Sequence, residues 1–429
     1  MALDLRKRTL VELPDRLIFL IGGSQPGQHC SARKNAGAPG QLTGAAGQPE
    51  KGRHTVSRPR RRRYLALLAA LLVAPLLAPG VAKADGPFVP PSQETVNRSS
   101  MLSAAEVAAE LRSLEARSKG ALRVEEVGRS GQGRPLQVAY IGTGSTRVWI
   151  QGRIHGNEPY GAEASLDFLK TLVAGGKHAQ DVLKEISFAI IPLYNPDGFE
   201  AFRRQDSIHN IDLNRDWGVD RRIFDQLNAV RAGLGQPPLS ERTFTGYTRH
   251  RAVESQAFWY AWADFLPHHM IDLHHQGTYY VDDTDEMTTF SVGISLDPGM
   301  LTSEQWNTVR RMGVVAADAA GKSGVVTLTR YPYINIPEGV TSAAMLNAPG
   351  PQGEYVNWRS NAMFFESRGG IGHKSSGYIV KQNVNGLWAI INSMSDGSLA
   401  SVDADRWAEI PDRGATISTC AKFPNQCEF

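Results

Sequence analysis

The chain has 429 residues, 41% of them hydrophobic and 21% charged, with 46 Lys+Arg against 43 Asp+Glu and a formal net charge of +3. It is long enough to bury a sizeable core. The positive excess belongs to residues 1–84, which hold 14 basic and 4 acidic side chains; the remainder has 32 and 39, net −7, and offers no electrostatic case for nucleic acid.

Residues 1–57 are rich in Gly, Ala, Gln and Arg without sustained apolar periodicity, and are expected to be disordered or an over-extended start. Residues 58–84 read as a signal peptide. Arg60 to Arg63 precede an apolar run from Tyr64 to Ala78, and Ala82-Lys83-Ala84 supplies a small-residue cleavage site. Arg61-Arg62-Arg63-Tyr64-Leu65 resembles a twin-arginine export signal. Cleavage is expected after Ala84, giving a periplasmic or secreted product. The run is short for a span of about 20 residues, so no stable membrane anchor is expected.

Residues 85–429 are expected to fold as a single α/β domain. Leu102 to Lys119 reads as an amphipathic helix opened by a Ser103/Glu106 capping box. Leu122–Arg129 and Pro135–Gly142 form a hairpin around Ser130-Gly131-Gln132-Gly133. Arg147 to Gln151 is the next strand. Ala162 to Val173 is a helix stopped at Gly175-Gly176. After a helical turn at Asp181–Glu185, Ile186 to Leu193 is nearly all apolar, a strand buried on both faces. Asn195-Pro196-Asp197-Gly198 reads as a turn. Residues 219–250 look irregular, an insertion beside a cleft with a loop at Gly233–Pro238. Glu254 to Phe265 is a helix whose Phe258, Trp259 and Trp262 pack inward. His269 to Leu273 is a buried strand, and Asp282–Glu286 a solvated acidic loop. Glu304–Gly321 is helical, Val325–Leu328 and Ala362–Glu366 are strands, and Tyr378–Ser393 is a final packing helix. Strands alternating with helices imply a three-layer α/β/α sandwich around a mixed, mostly parallel sheet. In an oxidising compartment Cys420 and Cys427 are expected to pair.

The chemistry gathers at strand ends, where sites form in open α/β sheets. His155 and Glu158 stand three residues apart just past a strand and can face one point. Imidazole nitrogen and carboxylate oxygen are both zinc donors at about 2.0–2.2 Å. His274 follows another strand, and a His₂Glu set with an open fourth position is a catalytic zinc arrangement. Asp197, Asp212 to Arg215 and Glu366 fall at comparable places.

These pieces together resemble the zinc carboxypeptidases of the carboxypeptidase A type (the M14 metallocarboxypeptidases). The matching stretches are Gly128-Arg129-Ser130 with Gly133-Arg134-Pro135, His155-Gly156-Asn157-Glu158, Asn195-Pro196-Asp197-Gly198, Asp212-Leu213-Asn214-Arg215, Asp272-Leu273-His274 and Phe364-Phe365-Glu366, in family order. The resemblance implies one zinc ion held by His155, Glu158 and His274. It implies that Asp212 steadies a ligand histidine, and that Asn214 and Arg215 grip the substrate's terminal carboxylate. It further implies that Glu366 is the general base and that Arg204, or else Arg203, stabilises the oxyanion. The family's mobile tyrosine has Tyr355 as its nearest counterpart, with Tyr331 and Tyr333 also open. The implied function is that of an exported bacterial carboxypeptidase, acting as a monomer on a peptide or muropeptide with a free carboxylate. A zinc-dependent deacylase of the aspartoacylase or succinylglutamate desuccinylase type, and an inactive peptide-binding member, are the alternatives.

Overall fold

The computed structural model describes residues 101–218, 220–239, 251–321, 327–333, 336–368 and 376–416. The expected disordered start, signal peptide, cleavage site and Cys420–Cys427 pair lie outside these residues.

Helix α1 (Ala104–Arg117) opens as its capping box requires: the Ser103 hydroxyl accepts from the Glu106 N–H at 3.2 Å, and the Glu106 carboxylate accepts from the Ser103 N–H at 2.8 Å. Strands β1 (Leu122–Arg129) and β2 (Pro135–Ile141) pair antiparallel as the expected hairpin. Strand β3 (Thr146–Gly152), helices α2 (Gly161–Ala174) and α3 (Lys177–Glu185), strand β4 (Ile186–Ile191) and short helix α4 (Pro196–Glu200) follow. Asn195-Pro196-Asp197-Gly198 is therefore the start of a helix, with the Asn195 carboxamide capping the Gly198 N–H at 2.8 Å.

Part of the expected irregular insertion is helix α5 (Arg221–Gly233), capped by Asp220. Then come α6 (Val253–Phe265), β5 (His269–Gln276), β6 (Tyr279–Val281), β7 (Phe290–Gly293), α7 (Ser303–Ala320) and β8 (Leu328–Arg330). The chain continues through α8 (Val340–Leu346), β9 (Asn361–Arg368), α9 (Ser376–Ser395) and β10 (Arg413–Thr416). Strands β5 and β9 run past their expected ends, so His274 sits within its strand rather than just after it, and Glu366 within its strand rather than at its end.

The main sheet has the order β1-β2-β4-β3-β5-β9-β7-β8. Strands β4, β3, β5 and β9 run parallel at its centre, and the antiparallel hairpin forms one edge. The central strands β3 and β4 carry Val148, Trp149, Ile150, Phe188, Ala189, Ile190 and Ile191, all fully buried, as strands covered on both faces must be. Helices α2, α3, α7 and α9 pack together and on β3, β4, β7 and β9; α6 and α8 cover β1, β5 and β9 from the other face. The expected three-layer α/β/α sandwich is the fold found. A separate ribbon pairs β6 with β10 antiparallel. Among the described residues no helix is long and apolar enough to cross a membrane.

Strand β4 lies on one side of β3 and β5 on the other. The chain thus reverses its winding between β3 and β5, which opens a crevice beyond their carboxyl ends.

Candidate metal centre

His155 and Glu158 stand in the loop that leaves β3 in this crevice, and His274 stands on β5. Their donor atoms all lie within 4.8 Å of one another, and all three residues are buried. The loop can turn this tightly because residue 156 has no side chain. A Cβ there would lie 2.1 Å from the backbone carbon of Gly198. A Cβ on Gly198 would in turn lie 2.4 Å from the Asn195 carboxamide. The two glycines let the metal-site loop sit directly on the start of α4.

The histidines are oriented alike. The Nδ1 atom of His155 lies 2.6 Å from Glu158 Oε1, and that of His274 lies 2.9 Å from Glu158 Oε2. Their Nε2 atoms face outward to carboxylates: Asp212 Oδ1 at 3.2 Å from His155, and Asp272 Oδ2 at 2.9 Å from His274. Such a carboxylate fixes the tautomer so that the inner nitrogen presents its lone pair, and it raises that nitrogen's basicity. Two imidazoles and a carboxylate, converging and steadied from behind, fit zinc.

The charges respond to this crowding. Burial opposes ionisation of Asp212, yet His155, Arg204 and Arg215 hold its carboxyl well below the usual range. Burial also opposes protonation of His274, but Asp272 and Glu158 outweigh it and push that ring well above the usual histidine value. A cation and a proton therefore compete for this ring.

Sequence reasoning named Asp212 and missed Asp272, although Asp272-Leu273-His274 was among the matching stretches. The signal was alternation: Asp272 and His274 are two apart on one strand and so share a face. Asp272→Ala is expected to weaken zinc binding about 10–100-fold while the protein stays folded. Competition with a fluorescent zinc chelator measures this; unchanged affinity would remove Asp272 from that role.

Glu366 reaches the site through strand register. Strands β5 and β9 are parallel neighbours, and His274 pairs directly with Glu366. Among the described residues, Glu366 Oε2 is buried without a hydrogen-bond partner. Burial pushes the carboxyl up to about 7, with the neighbouring Glu158 adding to the shift and His274 opposing it.

A cleft of about 230 Å³ joins these groups; its lining includes His155, Glu158, Arg204, Asn214, Arg215 and Glu366. Arg204 donates from Nε to Asp212 at 2.9 Å and from Nη1 to Glu158 at 3.3 Å. Arg203 turns away to Asn210. The structure thus separates the two arginines. Buried Asp206 accepts from the N–H groups of Ile208, His209 and Ile211 and shapes the loop between Arg204 and Asp212. The Asn214 carboxamide accepts from the Val340 N–H at 2.9 Å, and its Nδ2 lies 3.5 Å from His274 Nε2. Arg215 donates to the Asn214 carbonyl at 2.5 Å.

Two expectations change here. Tyr355 is not brought to the cleft. It is 47% exposed, and its hydroxyl bonds Asp220 beside Arg222. Tyr331 lines the cleft instead, whereas Tyr333 packs on Trp306. Asp197, placed by sequence among the candidate site groups, lies outside the lining. It locks the hairpin, accepting from the Ser130 hydroxyl at 2.7 Å, the Gln132 N–H at 2.8 Å and Arg134 at 2.6 Å. That explains the Gly128–Pro135 stretch as a structural partner of the Asn195–Gly198 stretch. His275 gives its backbone N–H to Glu158 at 3.2 Å, but its ring is outside the donor set.

Comparison with known proteins agrees with this geometry. The chain is 37% identical over 112 residues to carboxypeptidase 2 of Trichophyton rubrum, covering 24% of this chain and 21% of that protein. It is 35% identical over 127 residues to carboxypeptidase E of Caenorhabditis elegans, covering 24% of this chain and 27% of that one. These matches span about a fifth to a quarter of the relatives' own length. In fold, the carboxypeptidase A of Helicoverpa armigera superposes with a TM-score of 0.52 at 18% identity, over 71% of this chain and 76% of that one. The zinc carboxypeptidase family model matches residues 107–366, from helix α1 to the glutamate beside His274, and the chain belongs to that family.

Proposed function

We propose that this protein is a zinc-dependent carboxypeptidase that removes the C-terminal residue of a peptide. The observation that carries this reading is the buried His155–Glu158–His274 donor set with Glu366 in register beside it. His155, Glu158 and His274 hold one zinc ion, which when bound polarises the scissile carbonyl and acidifies water. Glu366 takes the proton from the attacking water and passes it to the departing amine. Its raised affinity for protons suits both halves of that task. Arg204 offers its guanidinium to the oxygen on which negative charge develops. Asn214 and Arg215 hold the terminal carboxylate; a planar guanidinium meets a carboxylate with two parallel hydrogen bonds. The site acts outside the cytoplasm, after export directed by residues 58–84, and a cell-wall or other peptide with a free carboxylate is its substrate.

Arg215→Ala tests the anchor. It is expected to raise KM about tenfold or more for peptides with a free C-terminus, since a hydrogen bond to a charged group is worth about 1.5–3 kcal/mol. C-terminally amidated peptides should be unaffected. An equal effect on both would place Arg215 elsewhere in the mechanism.

A further inference from the structure

A chain of hydroxyl groups in the cleft takes no part in the reaction above. Ser295 follows β7, and Thr341 and Ser342 stand in the first turn of helix α8. All three residues are buried, and all three line the cleft. Thr341 Oγ1 lies 2.8 Å from Ser295 Oγ, and Ser342 Oγ lies 2.8 Å from the same atom. Ser342, fully buried, is the inner end, with its Oγ 3.5 Å from the Ser295 carbonyl. Among the described residues no charged side chain bonds any of the three. Each hydroxyl brings one proton, and the two internal contacts use two of them. The remaining proton goes either from Ser342 to the Ser295 carbonyl or outward from Thr341. The chain can therefore present Thr341 to the cleft as an acceptor or, with its direction reversed, as a donor.

These hydroxyls stand beside the anchor for the terminal carboxylate. Arg215 Nη1 donates to the Asn214 carbonyl at 2.5 Å, and a Cβ on Gly339 would lie 3.5 Å from that same oxygen. The Asn214 carboxamide accepts from the Val340 N–H at 2.9 Å, one residue before Thr341. The segment that carries Thr341 and Ser342 is thus pinned against Asn214 and Arg215. Ile336 also lines the cleft, and its carbonyl accepts from the Gly339 N–H at 3.0 Å. Among the described lining residues the carboxylates are Glu158 and Glu366, and both belong to the metal site. A C-terminal residue held by Asn214 and Arg215 therefore has hydroxyls and an isoleucine beside its side chain, and no spare carboxylate to meet a lysine or arginine.

We propose that the Thr341–Ser295–Ser342 hydroxyls bind the side chain of the substrate's C-terminal residue and make the enzyme selective for threonine and serine there. A substrate hydroxyl donates to Thr341 or accepts from it, whichever way the chain runs. Valine has threonine's shape but would bury the Thr341 hydroxyl against a methyl group, unpaired. This deepens the carboxypeptidase reading and rests on it for which end of a peptide lies here.

The test uses N-acetyl-Phe-X peptides with X as Thr, Val, Ser, Ala, Phe and Lys. They are assayed on the full zinc-loaded protein for kcat/KM and on chelator-treated protein for binding by calorimetry. Thr is expected to be favoured over Val, and Ser over Ala, about tenfold or more in both measurements, with Phe and Lys below Thr. Thr341→Val keeps the shape of the side chain and removes its hydroxyl, so the ratio of Thr to Val should collapse to about one. Thr341→Ser keeps the hydroxyl and should retain the preference. Equal values for Thr and Val with the unmutated protein overturn the assignment, as does a ratio that survives Thr341→Val, or a Phe or Lys peptide preferred to Thr. A binding preference without turnover of any peptide leaves the hydroxyl assignment standing and sinks the carboxypeptidase reading instead. Neither binding nor turnover of any peptide overturns both.

Discussion

Glu366→Gln is expected to lower turnover by about 10²–10⁴-fold with zinc content unchanged, the range that general acid–base help supplies. The variant is close to isosteric, and residue 366 stays in register beside His274, so the fold and the donor set are preserved. What is lost is a group that can accept a proton. The wild-type pH profile carries the same signature. A base must be ionised to act, so kcat/KM should fall as pH drops through the pKa of Glu366. That value is about 7 with burial as the main cause, and a bound cation lowers it. The acidic limb should therefore lie at or below pH 7 and vanish in Glu366→Gln. Near-normal turnover, or an unchanged acidic limb in the variant, would remove Glu366 from the role of base.

Glu158→Gln is expected to abolish activity by a different route, through loss of the metal. Glu158 lies between the inner nitrogens of both histidines, 2.6 Å from one and 2.9 Å from the other, and is the one carboxylate in the donor set. Burial disfavours its charge, yet His155 and His274 hold it well below the usual carboxylate range, so it meets a cation already ionised. Replacing it with a neutral amide leaves two imidazoles and no compensating charge. Metal analysis after dialysis should find about one zinc per chain in the unmutated protein and little in Glu158→Gln. Residual activity should match that of chelator-treated protein. Full zinc occupancy in the variant would show that the donor set has been misassigned. The two variants separate the two functions: one keeps zinc and loses proton transfer, the other loses zinc.

Much of this was legible in the sequence for physical reasons. The capping box at Ser103, the nearly all-apolar β4 and the stop at Gly175 are local signals that tertiary packing did not override. His155, Glu158, His274 and Glu366 were readable because metal and acid–base chemistry admit few residue types. What escaped was structure made by its surroundings. Helix α8 is buried at all seven positions, so it has no amphipathic period to read. Strand β10 is Arg-Gly-Ala-Thr, half-buried throughout, and is a strand only because β6 pairs with it. Helix α5 buries only Ile223, Phe224 and Leu227, too narrow a stripe to stand out in a polar insertion, although Asp220 marks its start. Tyr355 was chosen by proximity to Glu366 in sequence. The chain places it on the surface with Asp220 and brings Tyr331 in from another element.

The most direct test of the reaction itself is product analysis. The full protein is incubated with peptides and muropeptides of varied C-termini, with and without a zinc chelator, and products are read by mass. The expected result is stepwise loss of single C-terminal residues, stopped by the chelator and restored by added zinc. Release that continues unchanged in the chelator, or internal fragments in place of single-residue loss, would contradict a zinc carboxypeptidase built on His155, Glu158, His274 and Glu366.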